Sequence, residues 1–138
     1  MLKFLTVARL VEEKALHIAI EAVSKLKKAK PDLKFEYTII GEGDKRKELQ
    51  NVIDRLDVSR EVKLVGAKNS NDVRRYMIDS HIFLLSSKVE ALPTVLLEAQ
   101  SCQLLVVATN VGSVSTVVHS GKVVLPLDVD AFYDAILF

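Results

Sequence analysis

The sequence predicts a doubly wound, α/β domain with a six-stranded parallel sheet, and three observations carry that expectation. Apolar, β-rich runs alternate six times with segments of helical period. The central runs, "IFLL" at 82–85 and "LLVVA" at 104–108, are apolar at successive rather than alternate positions, as strands are when helices cover both faces of a parallel sheet. The chain has 138 residues, 49% apolar and 27% charged, which is enough for one hydrophobic core and too apolar for disorder.

Residues 2–8, "LKFLTVA", read as a buried strand. A helix follows over 12–29, with Leu16, Ile20, Val23 and Leu26 on one stripe, until Pro31 and Asp32 stop it. The second strand, "FEYTII" at 35–40, runs into Gly41-Glu42-Gly43, which reads as a turn. The second helix spans 45–57 with Leu49, Val52, Ile53 and Leu56 on its apolar face. "EVKLVG" at 61–66 is the third strand, and Ser70 or Asn71 is the expected N-cap of a helix over 70–80. Strand four lies at 81–86. The helix after it, 93–102, carries Pro93 in its first turn, where a missing N–H is no loss. Strand five at 104–109, a short helix at 113–120, strand six at 122–126 and a helix over 128–138 complete the pattern.

Composition removes several function classes. A net charge of +1 gives no basic field for nucleic acid. The single cysteine, Cys102, permits no internal disulfide and reads as a small buried hydrophobe rather than a nucleophile. No apolar run approaches the ~18 residues of a membrane span, and no signal peptide precedes the first strand, so the expected compartment is the cytoplasm. The cluster "KLKKAK" at 25–30 reads as solvation of a helix end, with peripheral attachment to the cytoplasmic face of a membrane as the lesser alternative. His17, His81 and His119 stand far apart, so no metal site is expected.

In doubly wound sheets ligands bind beyond the carboxyl ends of the strands, at the switch point. Function is therefore expected in the loops 9–14, 41–45, 66–70, 86–93 and 109–113. The first of these, within "ARLVEEK" at 8–14, has no glycine, which excludes the dinucleotide fingerprint; no P-loop or nucleophile elbow occurs elsewhere. The segment "SSKVEALP" at 86–93 runs into a helix, and Glu90 and Glu98 stand eight apart across that junction. The first-turn N–H groups of such a helix, from Ala91, Leu92, Thr94 and Val95, can be aimed at an anion. Across the switch point Arg9 offers a fork for phosphate oxygens and Lys14 a point charge. A sugar nucleotide has the matching layout of hydroxyls, diphosphate and ribose hydroxyls. Read singly, the same residues have plainer roles: Arg9 and Lys14 as loop charges paired with Glu12 or Glu13, Glu90 as a helix-start carboxylate, Glu98 as an exposed one.

The segments "ARLVEEKALHIAIEA" (8–22), "YTIIGEGDKRKEL" (37–49), "VKLVG" (62–66), "IFLLSSKVEALPTVLLEA" (82–99) and "VVATNVGSV" (106–114) together resemble the carboxyl-terminal domain of the retaining glycosyltransferases of family 4, also called group 1. The resemblance implies one Rossmann-like half of a GT-B enzyme. It implies a UDP-, GDP- or ADP-sugar as substrate, no cofactor and no metal, and transfer of a hexose to a glycan, lipid or small molecule held by a preceding acceptor domain. By the same resemblance Arg9, Lys14 and Glu90 are catalytic, the two cations neutralising the donor diphosphate and Glu90 holding hydroxyls of the sugar. The backbone from Ala91 and Leu92 through Pro93 to Thr94 and Val95 meets the distal phosphate, Glu98 binds the ribose, and Gly66, Ala67 and Lys68 flank the base. With no acceptor half in the sequence and an apolar stop at 136–138, the chain is expected to be an excised domain that binds nucleotide without turning over.

Several residues usual in that family, mostly glycines and prolines, are replaced here, by Ala8, Ala15, Ser86, Ala91, Gln103, Leu105, Ser113, Ser115 and Thr116. The methyl of Ala91 is expected to crowd the sugar or to oppose a positive φ. The alternative function is therefore a degenerate, non-catalytic binding or assembly module of the same fold, and a weaker one is a doubly wound enzyme with another cofactor.

Overall fold

Strands β1 (Leu2–Val7), β2 (Phe35–Ile40), β3 (Val62–Gly66), β4 (Ile82–Leu85), β5 (Leu105–Thr109) and β6 (Gly121–Val124) form one sheet in the order 3-2-1-4-5-6. The computed structural model describes residues 1–90 and 93–137. Every strand pairing is parallel, as the apolar character of both faces requires. The helices are α1 (Leu16–Ala29), α2 (Arg46–Arg55), α3 (Ser70–Asp79), α4 (Thr94–Ser101), α5 (Val114–Val117) and α6 (Val129–Ile136).

Two cores follow from the alternation of side chains along each strand. On one face Phe4, Tyr37, Ile39, Leu84 and Val107 pack with α1, α2 and α6. On the other Leu5, Ile40, Phe83, Leu85 and Val106 pack with α3, α4 and α5. Each of these side chains is almost wholly buried and contributes roughly 1.5–3 kcal/mol relative to exposure. One polar device sits inside. Thr6 Oγ1 donates to the Leu84 carbonyl at 2.6 Å, so its single proton is taken and the Tyr37 hydroxyl, also 2.6 Å away, donates to it. Burial pushes the Tyr37 phenol above its ordinary range. The link ties β2, β1 and β4 together just below the switch point.

The local departures have physical causes. The expected helix over 12–29 is broken into a one-turn 3-10 helix at Glu12–Lys14 and α1, with Ala15 between them at φ 43°, ψ 44°. No glycine or proline marks that break; the Ser86 hydroxyl holds it by donating to the carbonyls of Ala15 at 3.0 Å and Lys14 at 3.4 Å. Asn69, not Ser70 or Asn71, caps α3, its side chain accepting from the Asp72 N–H at 2.8 Å. Pro93 is the N-cap of α4 rather than a first-turn residue. The fifth helix shrinks to four residues. The sixth strand starts at Gly121, where a Cβ would stand 1.8 Å from the Val106 carbonyl oxygen. Helix α4 ends in a Schellman motif, with Leu104 N–H on the Ala99 carbonyl at 3.1 Å and Gln103 N–H on Gln100 at 2.9 Å. Gln103 occupies the left-handed C′ position at φ 65°. In the basic cluster Lys25 pairs with Asp130, and Lys27 donates to the Asp57 carbonyl at 2.6 Å. No described helix is long and apolar enough to cross a membrane.

Candidate nucleotide site at the switch point

Strands β1 and β4 are neighbours, Leu5 standing opposite Phe83, so the loops that leave them run side by side although they lie more than 70 residues apart. Polar bonds then strap the two loops together. Lys88 N–H donates to the Glu13 carbonyl at 2.7 Å, and Lys88 Nζ to Glu12 at 2.6 Å. Lys88, with Lys45 behind it, holds the Glu12 carboxyl below its ordinary range. Lys14 Nζ donates to Glu90 Oε2 at 2.6 Å, and the Ser87 hydroxyl donates to the same oxygen at 2.8 Å. The side chains of Lys14 and Glu90 are 22% and 10% exposed, so this pair is far drier than the surface pairs around it. Pairing of Lys14 with Glu12 or Glu13, the plainer expectation, does not occur: Lys88 and Lys45 take Glu12.

The exit of β2 shapes the first loop from the other side. Ala8 N–H donates to the Ile40 carbonyl at 3.0 Å, Leu10 N–H to Glu42 at 2.9 Å, and Lys45 N–H to Leu10 at 2.9 Å. Such close backbone approach leaves no room for side chains. A Cβ on Gly41 would lie 1.8 Å from the Ala8 carbonyl oxygen, and one on Gly43 would lie 2.3 Å from that of Leu10. The expected turn at Gly41-Glu42-Gly43 is thus also the mould of the Arg9 loop.

A cleft of about 800 Å³ opens above the carboxyl ends of β1, β2 and β3, between α3 and α4. Arg9 lines it from the first loop and Ala67 from the loop after β3. Val95 and Glu98, one turn apart, face it from α4 together with Cys102. Arg9 and Glu98 are exposed, and neither has an ion pair among the described residues. Lys14 and Glu90 form their pair outside these walls. Gly66 ends β3 at φ 82° and delivers Ala67 to the rim. Pro93 is buried, Thr94 is exposed, and among the described residues no side chain caps the start of α4. Ala91 and Leu92 lie outside the described residues.

The expected Lys68 lines the cleft beside Ala67, and sequence reasoning missed three further contributors. Asn71 and Arg74 make the cleft's α3 wall polar, and Cys102, half-buried, lines the cleft while packing against the second core. The cation spacing along 68–74 is visible in the sequence, but nothing there says which way those side chains face.

A doubly wound sheet in this strand order, with a charged cleft beyond its strand ends, defines a Rossmann-like α/β domain. The chain belongs to the glycosyl transferases group 1 family, whose model matches residues 2–138. It is similar to the gpi3 subunit of the phosphatidylinositol N-acetylglucosaminyltransferase of Schizosaccharomyces pombe, 32% identical over 119 residues that cover 86% of this chain and 26% of that protein. It is also similar to the amylovoran biosynthesis glycosyltransferase AmsK of Erwinia amylovora, 42% identical over 115 residues that cover 79% of this chain and 28% of that protein. The chain thus spans about a quarter of the length of these curated relatives. Among solved structures, the Anabaena protein Alr3699/HepE in complex with UDP and glucose superposes with a TM-score of 0.86 at 24% identity, over 97% of this chain and 37% of that one. The pneumococcal O-GlcNAc transferase GtfA in complex with UDP and GlcNAc gives 0.84 at 21% identity, over 97% and 28%. At these identities the structural likeness shows the fold.

Proposed function

We propose that this chain is the donor-binding domain of a retaining glycosyltransferase that moves a hexose from a nucleoside diphosphate sugar to an acceptor bound by another part of the whole protein. The observation that carries the reading is a cleft whose walls hold Arg9 and Glu98, with the dry Lys14–Glu90 pair formed by the same β1 loop and the segment leading into α4. The cleft's volume lies within the ~300–1,000 Å³ usual for small-ligand sites. Arg9, without an acidic partner among the described residues, is left to receive phosphate oxygens in its fork. The ammonium of Lys14 has three protons and gives one to Glu90, so two remain for the diphosphate. Glu90 commits Oε2 to Lys14 and Ser87, while Oε1 has no partner among the described residues and suits a sugar hydroxyl. Thr94 and Val95 present first-turn N–H groups at the positive end of α4, and Glu98, one turn further, suits the ribose diol. Loss of the nucleoside diphosphate builds negative charge on the leaving oxygens. Cations and dipoles fixed beforehand stabilise that charge without reorganising.

UDP is the first nucleotide to test, since it is the one named with HepE and GtfA. Calorimetric titration of the folded chain with UDP is expected to give saturable binding, weakened roughly tenfold or more by Arg9→Ala, equivalent to about 1.4 kcal/mol. A folded chain that binds none of UDP, GDP and ADP is the degenerate binding or assembly module instead.

A further inference from the structure

Five polar side chains are buried among the described residues: Thr6, Ser24, Ser86, Ser87 and Thr109. Thr6 belongs to the core link with Tyr37. Three of the others, Ser86, Ser87 and Thr109, gather where β4 and β5 end, directly behind the Lys14–Glu90 pair. The backbone ladder between these strands stops at Leu85 opposite Ala108. Beyond it Thr109 Oγ1 takes over, donating to the Ser87 carbonyl at 2.6 Å. The Ser87 hydroxyl donates to Glu90 Oε2, the oxygen that Lys14 also holds.

We propose that Thr109 is a positioning residue for Glu90: from the neighbouring strand it fixes the Ser87 peptide, and through Ser87 it holds the Glu90 carboxylate against Lys14, touching neither charge itself. The inference rests on reading Glu90 as a donor-sugar ligand. Thr109 and Ser87 are fully buried, so no water is at hand to replace a lost bond. Removing the Thr109 hydroxyl leaves the Ser87 carbonyl unpaired, and the peptide turns to find another donor. Its side chain then leaves Glu90, and the carboxylate loses one of its two anchors. Ser86 does the parallel task for the partner charge, through the carbonyls of Lys14 and Ala15.

The test compares Thr109→Val, nearly isosteric without the hydroxyl, with Thr109→Ser, which keeps it. Carbon-13 NMR of the chain follows the Glu90 carboxyl resonance, assigned by its loss in Glu90→Gln. It is expected to move in Thr109→Val and to stay at the wild-type position in Thr109→Ser. Thermal unfolding that is weakened in Thr109→Val with the Glu90 resonance unmoved overturns the proposal and leaves Thr109 a structural residue. Should Thr109→Val fail to fold, Ser87→Ala keeps the Thr109 bond to the backbone and removes only the hydroxyl link. Its Glu90 resonance must then move, or the proposal falls. A second readout is the affinity of UDP-glucose relative to UDP. Thr109→Val is expected to reduce that ratio about threefold or more while UDP affinity itself holds within about twofold, the loss of one anchoring hydrogen bond. An unchanged ratio, in a wild-type chain that does favour the sugar nucleotide, counts against it. A wild type that binds no UDP sinks the donor reading, while the resonance test still decides the positioning role.

Discussion

Gly41→Ala is expected to lower the unfolding free energy by about 4 kcal/mol and the melting temperature by more than ~10 °C. Two terms add. The residue sits at φ +146°, which L side chains rarely adopt, and its Cβ would stand 1.8 Å from the Ala8 carbonyl oxygen. The backbone has no room to yield, since Ala8 N–H is bonded to Ile40 and Gly41 N–H to the Gly66 carbonyl at 2.9 Å. Gly66→Ala is the natural comparison. Its φ of +82° is strained as well, but the new methyl would meet the Glu42 carboxylate oxygen at 3.0 Å and Arg46 Nη1 at 3.9 Å, both far ends of flexible side chains. Its expected loss is the conformational term alone, about 1–2 kcal/mol. Urea unfolding of both variants checks the order, and equal losses would show that the approach of β2 to the first loop is not tight. Whatever Gly41→Ala protein still folds is expected to bind UDP more weakly, because the displaced backbone carries Arg9.

On the donor-binding reading proposed above, Lys14→Ala in the whole protein is expected to reduce kcat by roughly 10²–10³-fold, the effect of removing one preorganised charge-stabilising donor, or about 2.7–4 kcal/mol. The loss has two sources. The leaving diphosphate of the proposed reaction is deprived of a cation, and Glu90, in a site only 10% exposed, is left with Ser87 as its remaining partner among the described residues. Arginine at this position keeps the charge on a bulkier, planar group and is expected to restore activity only in part. Because the two side chains act as a unit, Lys14→Ala combined with Glu90→Gln is expected to lose less than the sum of the single variants. Steady-state kinetics of the four proteins measures this directly. Strict additivity would mean that the contact at 2.6 Å has no energetic meaning in the reaction.

The sheet was legible because its signal is collective. Six apolar runs separated by helical stripes leave few alternatives, and a parallel doubly wound arrangement is the one that covers both faces of "IFLL" and "LLVVA". What escaped the sequence depends on neighbours that only the fold supplies. Ala15 turns left-handed because Ser86, 71 residues later, holds its carbonyl. The apolar stripe of α1 begins only at Leu16, and the polar run Glu12 to Lys14 before it suits a helix start, so nothing in the sequence marks the break. Gln103 is a related case, since the Schellman turn favours a glycine that is not there, and the chain accepts the strain to bury Leu104. At the site, the residue types of Arg9, Lys14, Glu90 and Glu98 were readable, and so was their confinement to the loops after β1 and β4 and the helix that follows. Their division into one dry ion pair and two exposed cleft residues was not, because it is set by the straps between those loops. Ser87 and Thr109 did leave a trace, as hydroxyl residues closing apolar strands, but a strand end is also where a polar residue returns to solvent.

The central claim is that a nucleoside diphosphate seats in the cleft above the carboxyl ends of β1, β2 and β3, between α3 and α4. Amide chemical-shift mapping of the chain with UDP locates the nucleotide directly. Shifts centred on Arg9, Ala67, Thr94, Val95 and Glu98 are the expected result. Shifts confined to the separate groove between α1 and α2, around His17, Glu21 and Arg55, or no shifts from a folded chain at saturating nucleotide, would contradict it.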